Sequence, residues 1–313
     1  MNIKTKYPLS KLTFGCEPLG GADWGKIDIS EIRKSIEFAF DHGINAFDVA
    51  DVYGLGNAEI ELSKALGSKI KEVFVITKFG VRWESNENGN RASTYKDSSP
   101  KYMIQALESS LRRLKLDCIP LYFIHWPDNN TKLDETIEAL EKVKSEGKIL
   151  NYGISNFFNF ENETLFRKYK ISAFQGPLNL IDFKRAINVF NSAKKAGVTT
   201  FSYGPLAQGL LTGKFNQFTK FEIDDRRSRL PHFQLEEWDS NNKILEVLSS
   251  ISSKYNKSIS QIAIRWVIDN CSIDSVIIGA KNISQVRSNL ETLDFVLEKN
   301  DIELLNKVVG YSY

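Results

Sequence analysis

Short apolar segments alternate with amphipathic segments along the whole chain. Continuous apolar runs of this length are typical of strands that are buried on both faces, as in a parallel sheet. We therefore predict eight strands. They are LTFGC (12–16), AFDVA (46–50), VFVITK (73–78), LYFIH (121–125), NYGIS (151–155), AFQG (173–176), TTFSYG (199–204) and SVIIG (275–279).

The amphipathic segments between these runs predict helices. In the first of them, Asp28 and Glu31 have the spacing of a capping box, Ile32 and Ile36 lie on one apolar face, and Gly43 supplies a stop. The predicted helices lie near 29–42, 58–66, 100–114, 133–146, 162–169, 183–195, 239–256, 260–269 and 284–294.

Eight strand-then-helix units in about 300 residues indicate an α/β protein with the TIM (β/α)8 barrel fold. A doubly wound open sheet is the alternative, but no glycine-rich dinucleotide fingerprint follows the first strand. We expect a single domain over residues 1–313. Two connections, 80–99 and roughly 211–237, are too long for tight turns and predict long functional βα loops at the C-terminal face of the barrel.

Composition narrows the class of partner. The chain has 313 residues with 41 basic and 39 acidic side chains, and a net charge of +2 does not favour nucleic acid or an anionic membrane. Three distant cysteines have no metal-ligand or disulfide spacing, which favours a reducing cytoplasm and no metal. No signal peptide or membrane-length apolar segment is present, so a cytoplasmic protein is expected.

Polar residues follow several of the predicted strands. The carboxyl ends of barrel strands face the active site, so these side chains are expected to share one basin. Asp51 lies one turn past its strand and is interpreted as a residue that shapes the loop. The remaining strand-end residues are Asp48, Tyr53, Lys78, His125, Ser155, Asn156, Gln175 and Tyr203.

Four of these residues have a coherent chemistry. A tyrosine hydroxyl has a pKa of about 10, which a nearby lysine lowers, and an aspartate keeps that lysine charged. A histidine can orient a carbonyl oxygen. Each side chain taken singly has a structural explanation, but Asp48, Tyr53, Lys78 and His125 at three adjacent strand ends favour a catalytic site that protonates an alkoxide. A hydride from a nicotinamide would complete the reaction.

Six segments in this order resemble the aldo-keto reductase family, in its bacterial and potassium-channel-β-like branch. The resemblance spans essentially the whole chain. The segments are FDVADVYGLGNAEIELSKAL, VFVITKFG, SLRRLKLDCIPLYFIHWPD, GKILNYGISNF, YGPLAQGLLTGKF and VIIGAKNISQVRSNL.

The resemblance implies a role for each matching residue. Tyr53 is the implied proton donor, Lys78 and Asp48 tune it, and His125 positions the substrate carbonyl. The other implied residues bind the cofactor. In order from the nicotinamide carboxamide and ring, through the pyrophosphate, to the adenosine half, they are Ser155, Asn156, Gln175, Tyr203, Gly204, Leu206, Gln208, Gly209, Lys214, Gly279, Lys281, Gln285 and Asn289.

Lys281 is a candidate partner for a 2′-phosphate, which favours NADPH as the cofactor. NADH stays open, because Ser288 stands where many family members carry a glutamate and Ile278 where many carry a proline. Val49, directly after Asp48, stands where family members more usually carry a small or hydroxyl residue. The arginines of DDRRSRLPHF (224–233) are interpreted either as a clamp on the cofactor or as solvated loop residues.

The substrate is expected to be a small carbonyl compound. Trp24, Trp83 and Trp126 are candidate walls of its pocket. The polar 80–99 loop would suit a hydroxylated substrate such as a sugar or would simply be solvated; its polar residues are Glu84, Asn86, Glu87, Asn88, Asn90 and Arg91.

Two further functions stay open. One is a nucleotide-binding, redox-sensing regulatory subunit of the channel-β kind, which the lack of an N-terminal extension before the first strand disfavours. The other is a dedicated pyridoxal or keto-sugar reductase. No pattern encodes the oligomeric state, and a monomer is the default expectation.

Overall fold

Eight parallel strands of the chain close into a barrel, which confirms the predicted fold class. The computed structural model describes residues 3–6, 8–21, 24–83, 92–159, 163–223 and 225–311. In this part of the chain the strands are β1 (Leu12–Gly15), β2 (Ala46–Asp48), β3 (Phe74–Phe79), β4 (Val81–Trp83), β5 (Thr94–Lys96), β6 (Ile119–Ile124), β7 (Ile149–Ser155), β8 (Ala173–Pro177), β9 (Thr199–Tyr203) and β10 (Ser275–Gly279).

All strands except β4 and β5 form the barrel, in the order β1-β2-β3-β6-β7-β8-β9-β10, with β10 pairing back to β1. The chain therefore visits the barrel strands in sequence order, as successive βα units require. β4 and β5 form a separate antiparallel hairpin within the long connection after β3.

Helices join successive barrel strands. In the described part of the chain they are α1 (Ile29–Asp41), α2 (Asn57–Leu66), α3 (Pro100–Leu114), α4 (Leu133–Ser145), α5 (Glu163–Lys168), α6 (Phe183–Lys195), α7 (Trp238–Tyr255), α8 (Ile259–Cys271), α9 (Ile283–Leu290) and α10 (Lys299–Val308).

Strands that are apolar on both faces produce two separate apolar cores. The larger core lies between the strands and the helices, where residues such as Ile36 and Trp266 are buried. The smaller core fills the barrel interior with Ala46, Phe74, Ile76, Leu121, Phe123, Ala173, Phe201 and Ile277. Because these side chains fill the barrel, binding space is left at the strand ends.

The N-cap, the apolar face and the glycine stop of the first helix are confirmed, whereas the predicted capping box is only half formed, because the Glu31 side chain pairs with Lys34 at 2.8 Å. The Asp28 side chain accepts hydrogen bonds from the backbone N–H groups of Ser30 and Glu31, at 2.9 and 3.3 Å. Ile32 and Ile36 are fully buried. Gly43 follows the helix with a φ of +89°, a conformation that glycine adopts without strain.

Two elements were not predicted from the sequence. The β4–β5 hairpin lies in the 80–99 segment, which was expected to be a loop. α10 follows the last predicted helix and is held by tertiary contacts, including a 3.0 Å hydrogen bond from the indole of Trp266 to Asn306. The predicted helix near 284–294 is also divided, because α9 ends at Leu290 and a 3-10 turn, Glu291–Asp294, follows it.

Among the helices of the described residues, none combines the length and the hydropathy that crossing a membrane requires.

Candidate active site

A cavity of about 500 Å³ lies at the carboxyl ends of the barrel strands. Its lining contains every predicted site residue except Lys78 and Trp83. Those lining residues are Trp24, Asp48, Tyr53, His125, Trp126, Ser155, Asn156, Gln175, Tyr203, Gly204, Leu206, Gln208, Gly209, Lys214, Gly279, Lys281, Gln285 and Asn289.

A buried ion pair, Asp48 with Lys78, forms the floor of the cavity. Lys78, on β3, is fully buried, and its Nζ lies 2.7 Å from Asp48 Oδ1 on the neighbouring strand β2. The same ammonium donates to the backbone carbonyl of Val49 at 2.8 Å. These partners hold the lysine in one position, and a charge-assisted bond of this kind is stronger than a neutral one.

Tyr53 and His125 meet directly above this pair. Their ring centroids lie 5.8 Å apart with the ring planes at 82°. Lys78 Nζ lies 5.2 Å from the centroid of the Tyr53 ring. The structure therefore brings the four predicted catalytic residues together from β2, β3, the end of β6 and the loop after β2.

Burial dominates the protonation state of Tyr53. Burial, followed by the negative charges of Glu17 and Asp48, raises the pKa of Tyr53 well above its usual value. The predicted opposing effect of the Lys78 charge stays a prediction. Tyr53 is thus held as a neutral phenol, which is the form that can donate a proton.

His125 is held as a neutral imidazole. Burial and the neighbouring charge of Lys78 lower the pKa of His125 well below its usual value. Its Nδ1 is buried with no hydrogen-bond partner among the described residues. A neutral imidazole can donate one hydrogen bond to a ligand without adding a charge to the cavity.

A chain of hydrogen bonds connects the ion pair with the strand ends beyond it. Gln175 Nε2 donates to the second carboxylate oxygen of Asp48 at 2.8 Å. Ser155 Oγ donates to Gln175 Oε1 at 3.4 Å, and Asn156 Nδ2 donates to Ser155 Oγ at 3.1 Å. The Tyr203 hydroxyl donates to Asn156 Oδ1 at 2.8 Å. Side chains from four strands are therefore fixed relative to one another.

The loop after β9 approaches the cavity with its backbone. Ala207, Gln208 and Gly209 have consecutive positive φ values of 45°, 52° and 97°. The N–H groups of Ala207 and Gly209 donate to the carbonyls of Gly204 and Leu206, at 3.0 and 2.9 Å, which fixes this tight turn. Small residues let the backbone approach a ligand closely, and Lys214 adds a positive charge to the lining. These two features fit the pyrophosphate of a nicotinamide dinucleotide.

The far end of the cavity lies at the start of α9. Lys281 donates from Nζ to the backbone carbonyl of Trp24 at 2.8 Å, and its own backbone N–H donates to Gln285 Oε1 at 2.7 Å. Burial and the nearby charge of Arg227 lower the pKa of Lys281. Ser288 and Asn289 line the same end.

Trp83 is the exception among the predicted pocket residues. It lies on β4, where it pairs with Thr94. Among the described residues that line the cavity, β4 contributes Val81 and not Trp83. Gly80, with a φ of +104°, separates β3 from β4. The placement of Trp83 in the wall of the substrate pocket stays a prediction. The polar residues predicted at 84–91 lie outside the described residues.

Asp51 lies behind the cavity, as its interpretation as a loop residue requires. It is fully buried, and it accepts a hydrogen bond from the Tyr102 hydroxyl of α3 at 3.2 Å. Burial, followed by the negative charge of Glu59, raises its pKa well above the usual value.

Some lining residues lie on loops and were not predicted from the sequence. Glu17 follows β1 by two residues, so the strand-end rule that identified Asp48 would also have found it. Two arginines of the 224–233 segment also line the cavity, and both interpretations of them, as a cofactor clamp or as loop residues, stay open. Arg226 pairs with Glu17 at 2.6 Å, and Arg227 pairs with Asp225.

Known proteins resemble this chain over nearly its full length. The model of the aldo/keto reductase family matches residues 11–309. Aldo-keto reductase YhdN of Bacillus subtilis is 30% identical over 308 residues, which cover 97% of this chain and 91% of that protein. The NADH-specific methylglyoxal reductase of Escherichia coli is 29% identical over 315 residues, covering 97% and 96%.

Solved structures agree with this assignment. The glycerol dehydrogenase AKR11B4 from Gluconobacter oxydans superimposes with a TM-score of 0.88 at 33% identity, covering 98% of this chain and 93% of that one. The holo form of aldo-keto reductase AKR11C1 from Bacillus halodurans has a TM-score of 0.78 at 26% identity, covering 98% and 95%. The chain belongs to the aldo/keto reductase family and is an NAD(P)H-dependent oxidoreductase of carbonyl compounds.

Proposed function

We propose that this protein uses NADPH to reduce an aldehyde or ketone reversibly to an alcohol, with Tyr53 as the proton donor. The observation that carries the proposal is the buried Lys78–Asp48 pair at 2.7 Å, lying beneath a tyrosine and a histidine in one cavity. A buried charge pair is costly to maintain, and a cleft with strongly shifted pKa values is typical of a catalytic site.

The proton step follows from the protonation states. The phenol of Tyr53 stays protonated at neutral pH, because burial raises its pKa. The neutral imidazole of His125 donates a hydrogen bond that orients the substrate oxygen. As negative charge develops on that oxygen, Tyr53 gives up its proton. Lys78, 5.2 Å from the phenol ring centroid, stabilises the resulting phenolate.

The cofactor supplies the hydride when it is bound. Ser155, Asn156 and Gln175 are proposed to bind the carboxamide of the nicotinamide, and Tyr203 to pack against its ring. The residues from Gly204 to Gly209, with Lys214, are proposed to bind the pyrophosphate. Gly279, Lys281, Gln285 and Asn289 are proposed to hold the adenosine half.

NADPH is proposed over NADH because cations border the far end of the cavity. Lys214 and Lys281 line it, and burial, followed by the charge of Arg227, lowers the pKa of each lysine. A 2′-phosphate beside them would stabilise their charged forms. Replacing Lys281 with Met should raise the KM for NADPH about tenfold or more and leave the KM for NADH within about twofold. Equal effects on both KM values would contradict the preference.

The direct test follows NADPH absorbance at 340 nm with an activated aromatic aldehyde. We expect turnover by the natural protein and loss of about 10²–10⁴-fold in kcat for Tyr53→Phe, which lacks the donated proton. Equal rates for both proteins would contradict the role of Tyr53. Tight NADPH binding without turnover of any carbonyl would instead support the regulatory alternative.

The physiological substrate is proposed to be a small carbonyl compound. The names of the similar proteins include a methylglyoxal reductase and a glycerol dehydrogenase, whose compounds have three carbons. A panel of methylglyoxal, glyceraldehyde, pyridoxal and a keto sugar, with NADPH and NADH side by side, would separate a dedicated pyridoxal or keto-sugar reductase from this proposal.

A further inference from the structure

An ion pair lines the same cavity as the proposed catalytic residues. Arg226 Nη1 lies 2.6 Å from Glu17 Oε1, and a third of each side chain is exposed. The Arg226 guanidinium also lies 5.6 Å from the centroid of the Trp24 ring. All three residues line the cavity together with Tyr53 and His125. None of the proposed steps uses this pair.

Glu17 is fixed next to the loop after β2 that carries Tyr53 and Gly54. It begins a 3-10 helix, Glu17–Gly20, directly after β1. The last residue of this helix contacts Gly54 so closely that a Cβ on Gly54 would lie 2.2 Å from the Gly20 carbonyl oxygen. This backbone contact therefore fixes the position of Glu17 relative to Tyr53. The charge of Glu17 contributes to the raised pKa of Tyr53, after burial, which agrees with this proximity.

Arg226 is fixed independently of Glu17. It begins another 3-10 helix, Arg226–Arg229, which Asp225 caps by accepting from the backbone N–H of Arg227 at 3.0 Å. Asp225 is buried and also pairs with the Arg227 guanidinium. Asp225 therefore neutralises Arg227, while Arg226 is directed to Glu17.

The pair sets the charge that a substrate meets. A carboxylate accepts hydrogen bonds from hydroxyl groups and a guanidinium donates to them, whereas their opposite charges cancel. A carboxylate on the substrate would be repelled by Glu17 and would have to compete for Arg226. Trp24 Nε1 is a buried donor with no partner among the described residues, so it adds a free donor next to the pair.

We propose, resting on the proposed carbonyl reduction, that Glu17 and Arg226 select neutral, hydroxyl-bearing carbonyl compounds and reject those that carry a carboxylate. Glu17 and Arg226 are thus specificity residues. They take no part in the transfer of the hydride or the proton.

The test compares a charged aldehyde, para-formylbenzoate, with its neutral methyl ester. The measured quantity is the ratio of kcat/KM for the ester to kcat/KM for the carboxylate, because effects of a variant on Tyr53 or on cofactor binding cancel in this ratio. The proteins are the natural chain, Glu17→Gln, Arg226→Gln and the double variant. A second ratio, glyceraldehyde to propanal, reports the preference for hydroxyl groups.

We expect the natural protein to prefer the ester by about tenfold or more. Glu17→Gln removes the negative charge beside Arg226 that repels a carboxylate, so the ratio should fall about tenfold, mainly because the charged aldehyde binds with a lower KM. Arg226→Gln removes the positive charge that a carboxylate would approach and keeps the negative one, so the ratio should rise about fivefold or more. The double variant should lie between the single variants. The preference for glyceraldehyde over propanal should decrease in the double variant.

Ratios that agree within about twofold across the four proteins would overturn the inference while leaving the proposed carbonyl reduction intact. Failure of the natural protein to reduce the methyl ester, propanal and glyceraldehyde with either nicotinamide would instead contradict the proposed function, and this inference with it. The two failures are therefore distinguishable in one set of assays.

Discussion

The floor and the rim of the cavity differ in how their charges are held. On the floor, Asp48 and Lys78 are buried, and each has a second hydrogen-bond partner, from Gln175 and Val49. On the rim, Glu17 and Arg226 are each a third exposed and lie on 3-10 turns of two loops. Buried charges interact strongly and tolerate little change, whereas exposed pairs contribute little to stability.

The floor and the rim of the cavity therefore have different functions. Strand ends hold the floor rigid, as the orientation of reacting groups requires. Loops hold the rim, where sequence changes cost little and can alter the substrate. Substitutions on the floor should therefore affect the rate with every substrate, and those on the rim should affect the choice among substrates.

Replacing Lys78 with Met should have the largest effect. It removes the cation that stabilises the phenolate and leaves Asp48 as an unpaired buried charge. We expect kcat to fall about 10³-fold or more and the free energy of unfolding to fall by about 3–5 kcal/mol. Single-turnover kinetics and urea unfolding measure the two effects, and NADPH affinity should change little.

The Asp48→Asn/Lys78→Met double variant separates these effects. With both charges removed, much of the stability should return, while turnover stays low. If Lys78→Met alone kept a near-natural kcat, the assigned role of Lys78 would be wrong.

Gly54→Ala should have the next largest effect, because it disturbs the contact between floor and rim. Its Cβ would lie 2.2 Å from the Gly20 carbonyl oxygen, so the Tyr53 turn or the Glu17 helix must move. We expect kcat/KM to fall about 10- to 100-fold. Gly67→Ala is the matched control, since Gly67 has a similar φ, +53° against +57°, and no atom within 4 Å of its Cβ. Equal losses of activity in both variants would indicate that backbone strain alone is responsible.

Gln175→Leu should have a smaller effect that is confined to the floor. It leaves one buried oxygen of Asp48 without its 2.8 Å hydrogen bond. The free energy of unfolding should fall by about 1–3 kcal/mol, and kcat/KM by about tenfold with all aldehydes alike. Thermal unfolding and the two-aldehyde assay check this. A changed preference between the charged and neutral aldehydes would show that floor and rim are not separate.

The pH dependence of reduction should show the smallest effect. The pKa of Tyr53 is raised, so the phenol keeps its proton as the pH rises; the pKa of His125 is lowered, so the imidazole stays neutral as the pH falls. We expect kcat/KM to stay within about twofold from about pH 6 to about pH 10. A fall with a midpoint near pH 8 would mean that the phenol loses its proton far more easily than its burial implies.

Sequence patterns determined the barrel and the residues of its floor. Apolar runs set the strands, and the carboxyl ends of those strands meet at one face, so Asp48, Lys78, His125 and Gln175 could be predicted to lie together. Such positions follow from the regular geometry of strands. The family resemblance then supplied the expected roles, and the match to residues 11–309 confirmed the family.

Tertiary structure alone decided how the loops lie. Glu17 and Arg226 are 209 residues apart, and no local pattern predicts that two turns will bring them within 2.6 Å. For the same reason the β4–β5 hairpin was not predicted, and α10 was missed although it packs against α8. The raised pKa of Tyr53 also depends on its burial and on the nearby charges of Glu17 and Asp48, since an electrostatic effect is set by the distances and the solvent exposure that the folded chain produces.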